Sequence, residues 1–182
     1  EYLDNKPNDA LYTVGVSVTD VDGLSVSGST TVGVNNVAPA AVSLAATPST
    51  IVEGGTLTLN GTFTDPGTMD SHAVVIVWGD GSPDTTVGLG ANVLTFSTTH
   101  QFVASRPADG AYTVTAVVSD KDGGAGTGTT TVVVRNEAPS AVTVTATPST
   151  IDENSVVMLS GSFTDPGILD THTVVIDWGD GS

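Results

Sequence analysis

Aspartates gathered in turns are the residues of this sequence whose type and spacing could do chemistry. Asp65 and Asp70 enclose one turn, and Asp120 and Asp122 enclose Lys121 in another. Carboxylate oxygens, together with Asn and backbone carbonyl oxygens, are the ligands that Ca²⁺ takes in sets of about 6 to 8. These four aspartates are therefore the leading candidate ligands of a calcium site.

The positions of these aspartates depend on a long internal repeat. Ala40–Ser82 recurs as Ser140–Ser182 after 100 residues, with 26 of 43 positions identical and no gap, and Glu1–Pro39 recurs as Gln101–Pro139. A period close to the size of a domain indicates modules in series. The predicted divisions are residues 1–37 (end of one module), 38–137 (a complete module) and 138–182 (start of the next).

Apolar and polar residues alternate in short runs, which predicts strands with one buried face. In the first such run of the complete module, Leu57, Leu59 and Phe63 share a face. About seven short strands per repeat predict an all-β fold of tandem immunoglobulin-like sandwiches, without helices. An opening strand is predicted around Val42 to Ala46, and the other predicted core positions are Val74, Ile76, Trp78, Leu94, Phe96, Phe102, Tyr112, Val114, Ala116, Val118, Val132 and Val134.

In such a sandwich, alternate loops fall at opposite ends. The loops with Asp65 and Asp120 are thus expected at the end that receives the linker containing Asn36, whereas the turn with Glu53 faces the next linker. Calcium would bridge these acidic ends, which otherwise repel each other. The supporting candidate ligands are Asn36, Glu53, Asp20, Asp22, Asp165, Asp170, Asn136 and Glu153.

The alternative is that these acids are solvated turn residues, because Asp is common in turns. An EF-hand is excluded for Asp20-Val21-Asp22-Gly23, since the later ligands of that motif are missing. A transition-metal site is disfavoured because each repeat offers few His and no Cys. His72 is instead expected to order the loop beside it through a hydrogen bond.

Three motifs resemble the polycystic-kidney-disease (PKD) domain family. They are Trp78-Gly79-Asp80-Gly81-Ser82, which recurs at Trp178 to Ser182, then Thr99-His100-Gln101-Phe102, and Gly110 to Val114 followed by Ser119 to Gly123. The extra residues that the family usually has between the tryptophan and the glycine are missing. The resemblance implies a β-sandwich of extracellular proteins, often in arrays on bacterial surfaces or beside secreted hydrolases, and it implies no catalytic residues.

Composition limits the possible partners and location. Twenty acidic residues against four basic ones give a net charge of -16, which makes nucleic acid and anionic membranes poor partners. Cysteine is absent, so disulfides cannot stabilise the modules, and no apolar run reaches the roughly 20 residues of a membrane span. An extracellular or cell-surface location is inferred indirectly, from the resemblance.

The sequence does not predict an enzyme. Ser82 lies in a turn in which Gly79 and Gly81 reverse the chain and Asp80 accepts backbone amides, and Tyr112 is expected to form a tyrosine corner. No set of acid, base and nucleophile remains beyond residues that turns explain. A catalytic site is therefore not expected in these modules.

The leading hypothesis is a non-enzymatic structural repeat of a long extracellular fibre or adhesin, with calcium fixing the geometry of module junctions. Its partners would be adjacent repeats, and exposed edge strands could support lateral self-association. The alternative is a carbohydrate- or protein-binding accessory module of a secreted hydrolase. Sugar binding would require exposed aromatics, whereas Trp78 and Trp178 are predicted to point inward.

The sequence begins in the second half of one repeat and stops inside a Trp-Gly-Asp-Gly-Ser motif, so a section of a longer polypeptide is expected. The alternative is a filament of short chains that complete each other's modules, but it leaves Pro83 to His100 without a counterpart. A mass measurement under denaturing conditions on protein from its natural source would contradict this expectation if it gave a chain near 18.2 kDa.

Overall fold

The computed structural model describes residues 1–181, and Ser182, the last residue of the second Trp-Gly-Asp-Gly-Ser motif, lies outside the described residues. Half of the chain is strand, and two three-residue 3₁₀ turns cover Pro7–Asp9 and Pro107–Asp109. The strands are β1 (Tyr12–Thr19), β2 (Ser25–Val32), β3 (Ala40–Thr47), β4 (Thr50–Val52), β5 (Thr56–Thr64), β6 (His72–Val77), β7 (Thr85–Leu89), β8 (Thr95–Gln101), β9 (Ala111–Asp120), β10 (Ala125–Arg135), β11 (Ser140–Thr147) and β12 (Met158–Thr164).

Two sheets form an immunoglobulin-like sandwich between residues 38 and 137, here called the complete module. One sheet has the strand order β4-β10-β9-β6-β7, and the other has the order β3-β5-β8. The expected all-β fold is confirmed, but the strand count is eight rather than about seven. The short strand β4 pairs in parallel with β10, and β7 is an edge strand of mixed Thr, Val, Gly and Leu.

The core lies between these two sheets, on the faces that the alternating pattern predicts. Along β5, Leu57, Leu59 and Phe63 are buried and alternate with residues that are exposed or half-buried. Trp78 follows β6 and is fully buried. The remaining buried apolar residues are Ile51, Val74, Ile76, Phe96, Phe102, Tyr112, Val114, Ala116, Val118, Val132 and Val134.

Hairpins flank the complete module and repeat its pairings. The strands β11 and β12 pair Thr143 with Ser162, as β3 and β5 pair Ser43 with Thr62, and both pairs shift register near their start. The strands β1 and β2 form an antiparallel pair, as do β9 and β10. No helix among residues 1–181 has the length and apolar character needed to cross a bilayer.

Tyrosine corners anchor the segments that precede β1 and β9. The Tyr112 hydroxyl donates a hydrogen bond to the Ala104 carbonyl at 3.0 Å, which confirms the predicted corner, and the Tyr12 hydroxyl donates to the Asp4 carbonyl at 3.1 Å. A cation lies over each tyrosine ring at 4.6 Å, Arg106 in one case and Lys6 in the other. The corner at Tyr12 fixes the backbone at Asp4, close to the complete module.

Candidate metal centres

Three buried carboxylates meet at the end of the complete module that faces residues 1–37, here called the first junction. Asp65 follows β5, Asp70 lies in the loop before β6, and Asp120 ends β9. One oxygen from each lies within 4.8 Å of the others. Oxygens on opposite sides of a bound Ca²⁺ are about 4.6 to 5.2 Å apart. The three carboxylates are therefore spaced as calcium ligands would be.

The loop between β5 and β6 is shaped around these carboxylates. The Gly67 amide donates to Asp65 Oδ1 at 2.8 Å, and the Asp70 amide donates to the Gly67 carbonyl at 2.9 Å. A β carbon at residue 67 would lie 2.1 Å from Asp70 Oδ2, so only glycine leaves room for this carboxylate. His72 Nε2 lies 3.0 Å from Asp65 Oδ2, which confirms the predicted ordering role of His72.

Hydrogen bonds surround the Asp120 carboxylate inside this cluster. Its Oδ1 accepts backbone amides of Asp122 at 2.9 Å and Gly124 at 2.8 Å, and its Oδ2 accepts the Asn36 side-chain amide at 2.8 Å. Burial alone raises the pKa of Asp120, but these hydrogen bonds outweigh it and hold the pKa below its ordinary value. The linker residue Asn36 thereby touches the candidate site directly.

A second acidic cluster lies beside the first and contains a lysine. Lys121 Nζ lies 2.8 Å from Asp4 Oδ1 and 2.7 Å from Asp70 Oδ1, and it also contacts Asp122 Oδ2. Burial raises the pKa of Asp70, and the Lys121 ammonium opposes this rise. The structure therefore separates Asp122, predicted among the leading four, from Asp65 and Asp120, because its side chain turns toward Lys121.

The second junction, between the complete module and residues 138–181, contains Glu53, Asp165 and Asp170. One oxygen from each lies within 4.8 Å of the others. Glu53 is 1% exposed and accepts the Ser105 amide at 3.2 Å and the Glu137 amide at 2.8 Å. A glutamate of one module, its outgoing linker and a loop of the next module therefore meet at one place.

The Asn136 amide completes this second junction. Its oxygen faces carboxylates, and rotating the amide would place the nitrogen 3.2 Å from both Asp170 Oδ2 and Glu53 Oε1. A β carbon at residue 167 would lie 2.6 Å from Asp170 Oδ2 and 2.8 Å from the Glu53 carboxyl carbon. With its oxygen toward the carboxylates, the Asn136 amide suits a cation bound between these groups. With its nitrogen toward them, it donates hydrogen bonds and suits a metal-free junction.

The remaining predicted ligands lie apart from these clusters. Asp20 and Asp22 stand in the exposed turn between β1 and β2, where Asp20 Oδ1 accepts the amides of Asp22 at 3.0 Å and Leu24 at 2.8 Å. Glu153 is exposed in the turn equivalent to that of Glu53. The structure brings none of these three carboxylates to either junction, and their proposed metal role stays a prediction.

Candidate ligand side chains at the two junctions occupy equivalent positions of the repeat. The first junction brings together Asn36, Asp65, Asp70 and Asp120. The second brings together Glu53, Asn136, Asp165 and Asp170. Asn36, Asp65 and Asp70 correspond to Asn136, Asp165 and Asp170 after 100 residues. Each junction therefore brings together three carboxylates and one Asn side chain, whereas Ca²⁺ takes about 6 to 8 oxygen ligands.

Sequence reasoning missed Asp4 and the role of Lys121. Asp4 is an isolated acid before a 3₁₀ turn, and its equivalent in the complete module is Ala104, so the repeat pattern does not mark it. Lys121 lies between the candidate ligands Asp120 and Asp122 in the sequence. This position between two acids was the one sequence signal that could have indicated its ion pairs.

Asp80, Ser82 and His100 form a polar group beside Trp78. His100 Nε2 lies 2.8 Å from Asp80 Oδ2, and the Ser82 hydroxyl donates to Asp80 Oδ1 at 2.5 Å. Burial raises the pKa of Asp80, but hydrogen bonds from His100 and Ser82 outweigh it, so the pKa lies below its ordinary value. The Asp80 carboxylate thus connects its turn to the His100 ring. This is the structural role predicted for the turn, in which Ser82 is not a nucleophile.

Acid is expected to destabilise the metal-free chain through Asp80 and Asp120. Because the folded-state pKa of both is lowered, their stabilising contribution is present above the ordinary Asp value of 3.8 and is lost as pH falls through the folded-state pKa. The folded-state pKa of Asp70 is raised, so protonation of Asp70 stabilises the folded chain and opposes part of this loss. Melting temperatures in chelator should therefore fall below about pH 4, and less steeply in Asp120→Asn. Asp84→Asn, at an exposed position, is the control; an unchanged slope in Asp120→Asn would contradict this prediction.

Comparison with known proteins agrees with this architecture. The chain matches the PKD domain family over residues 36–134, which is more than half of its length. No match was found among curated proteins. PKD domains are in general non-catalytic immunoglobulin-like modules, and they typically occur in extracellular proteins. From the matched region and the β-sandwich that it forms, the chain belongs to the PKD domain family.

Proposed function

We propose that this chain is a non-enzymatic structural part of an extracellular fibre or surface adhesin, in which calcium at the junctions fixes the angle between neighbouring modules. One observation carries the proposal. At both junctions, three carboxylates from different segments bring one oxygen each within 4.8 Å of the others, and a linker Asn side chain lies beside them. The alternative that they are solvated turn residues is disfavoured because Glu53 and the three aspartates of the first junction are buried.

The acidic charge of the junctions supports the presence of a bound cation there. The chain carries a net charge of -16, and each junction concentrates carboxylates in a partly dehydrated place. Two like charges about 4 Å apart repel by roughly 4 kcal/mol at the effective dielectric constant of a protein surface. A divalent cation would convert this repulsion into attraction and would favour one arrangement of the modules.

The contacts of Glu53 explain how an ion would fix an angle. Glu53 receives the Glu137 amide of the outgoing linker, and its carboxylate lies beside Asp165 and Asp170 of the next loop. An ion held by these carboxylates and by the Asn136 amide oxygen would connect the turn of Glu53, the linker and the next loop. Stiffness of the junction would then follow the ambient calcium concentration.

The structure does not favour a sugar-binding accessory module. A sugar-binding face needs exposed aromatic rings. The aromatic side chains of the complete module, Phe63, Trp78, Phe96, Phe102 and Tyr112, are instead buried. The inward placement predicted for Trp178 was wrong: this ring is 53% exposed, because only β11 and β12 form among residues 138–181. A fibre or adhesin module does not require such a face.

Calcium should raise the melting temperature of the chain. Extracellular calcium modules bind with dissociation constants of about 10⁻⁴ to 10⁻³ M. Calcium at about 10 mM would then stabilise by roughly 1.4 to 2.7 kcal/mol, which is about 5 to 20 °C for a module of this size. Calorimetric scans in chelator, calcium and magnesium measure this shift, and equal melting temperatures in all three would refute the calcium proposal.

Repeat-equivalent variants test which residues are responsible. Asp120→Asn should abolish the calcium shift at the first junction, because it removes a buried ligand charge. Asp20→Asn changes the equivalent residue of the preceding module, which lies in an exposed turn, and should leave the shift intact. Equal losses in the two variants would point to non-specific binding by an acidic chain.

A further inference from the structure

Lys121 joins two parts of the chain that are far apart in sequence. Its ammonium contacts Asp70 and Asp122 of the complete module and also Asp4 of the preceding segment. A lysine ammonium is positively charged at neutral pH, and this one has three carboxylate partners. The lysine therefore places a positive charge where carboxylates converge.

The internal repeat does not keep the two partners of this ion pair. The residue equivalent to Lys121 is Val21, and the residue equivalent to Asp4 is Ala104. The flanking aspartates are retained, since Asp20 and Asp22 correspond to Asp120 and Asp122. Both partners of the ion pair are thus replaced by apolar residues in the other copies.

Two other basic residues have different roles. Lys6 and Arg106, at equivalent positions, lie over the rings of Tyr12 and Tyr112. Lys121 is thus one of four basic residues in the chain, and it stands where three carboxylates meet. This placement indicates a role for its charge at the boundary between modules.

We propose that Lys121 is a built-in cation of the first junction, which holds the segment containing Asp4 on the complete module without metal. Asp70 is central to this role, because its Oδ1 faces Lys121 whereas its Oδ2 lies over Gly67 on the side of Asp65. The ammonium therefore neutralises one side of a candidate calcium ligand. As a deepening of the proposed function, this junction should depend less on calcium than one with Val and Ala at the two positions.

A double-mutant cycle in chelator tests the metal-free role. With Lys121 present, Asp4→Ala should lower the melting temperature, because it removes an ion pair. With Lys121→Val, the same change should be neutral or stabilising, because Asp4 then lies beside the like charges of Asp70 and Asp122 without a cation between them. Additive effects, with Asp4→Ala equally destabilising in both backgrounds, would overturn the proposal.

Hydrogen exchange gives a second readout that does not depend on global stability. Amides of residues 3–11 should exchange on the order of fivefold faster in Lys121→Val than in wild type, because the segment is released. Arg135→Asn is the matched control, since it also replaces a cation with the residue of the equivalent position, Asn35. Lys121→Met keeps the apolar stem and serves if the valine variant folds poorly. Unchanged exchange in both Lys121 variants would also overturn the proposal.

Calcium titration separates this inference from the proposed function. If both hold, calcium should raise the melting temperature more in Lys121→Val than in wild type, because the ion then supplies the missing positive charge. If calcium shifts no variant, the proposed function fails, but the cycle in chelator still decides the role of Lys121. If calcium shifts every variant equally, the built-in cation does not set the calcium dependence.

Discussion

Trp78→Ala should remove about 3 to 5 kcal/mol from the stability of the complete module, which is a large share of the roughly 5 to 15 kcal/mol that holds a domain together. Trp78 is 0% exposed and stacks on His100, with ring centroids 4.1 Å apart and planes 7° from parallel. Its indole N–H donates to Thr85 Oγ1 at 2.9 Å. The change therefore creates a cavity, and the His100 ring loses its stacking partner while it keeps its contact with Asp80.

The repeat supplies the control for this prediction. Trp178 occupies the equivalent position but is 53% exposed, so Trp178→Ala should cost far less. Thr85→Val removes the hydrogen-bond acceptor alone and should cost about 1 kcal/mol. Urea unfolding followed by circular dichroism measures all three. A Trp78→Ala midpoint close to that of Trp178→Ala would show that the ring does not support the core.

The core could be predicted from the sequence because strand alternation is a local property. Leu57, Leu59 and Phe63 repeat with the period of two that a half-buried strand imposes. The strands β4 and β7 could not be predicted in the same way. The first has three residues, and the second is an edge strand whose Thr-Thr-Val-Gly-Leu sequence has no strong pattern. Both are defined by the strands with which they pair.

The candidate site could be predicted only in part, for a similar reason. Loop order along a sandwich indicates that the loop of Asp65 and Asp70 lies at the same end as Asp120 only when β7 is counted, because four strands, β6 to β9, separate them. It cannot indicate that the Asp122 side chain turns toward Lys121, or that Asp4 meets both. Those contacts depend on how one module is placed against another, which a period of 100 residues does not specify.

Glu53→Ala is expected to lower stability by about 2 to 5 kcal/mol, even in chelator. The Glu53 carboxylate accepts the backbone amides of Ser105 and Glu137, at 3.2 Å and 2.8 Å. Truncation leaves these two partly buried donors without their partner, and each such loss costs about 1 to 3 kcal/mol. Glu153→Ala removes the equivalent carboxylate from an exposed turn and should change stability by less than about 0.5 kcal/mol.

Glu53→Gln separates the hydrogen bonds of Glu53 from its charge. The amide oxygen of glutamine can still accept a backbone amide, so most of the stability in chelator should remain. The calcium-dependent rise in melting temperature should nevertheless shrink at the second junction, because one negative ligand beside Asp165 and Asp170 is gone. Calorimetry in chelator and in calcium gives both quantities for each variant. Suppose that Glu53→Gln keeps the full calcium shift while Glu53→Ala unfolds the module. Glu53 would then stabilise the linker through the Ser105 and Glu137 amides and would not be a calcium ligand.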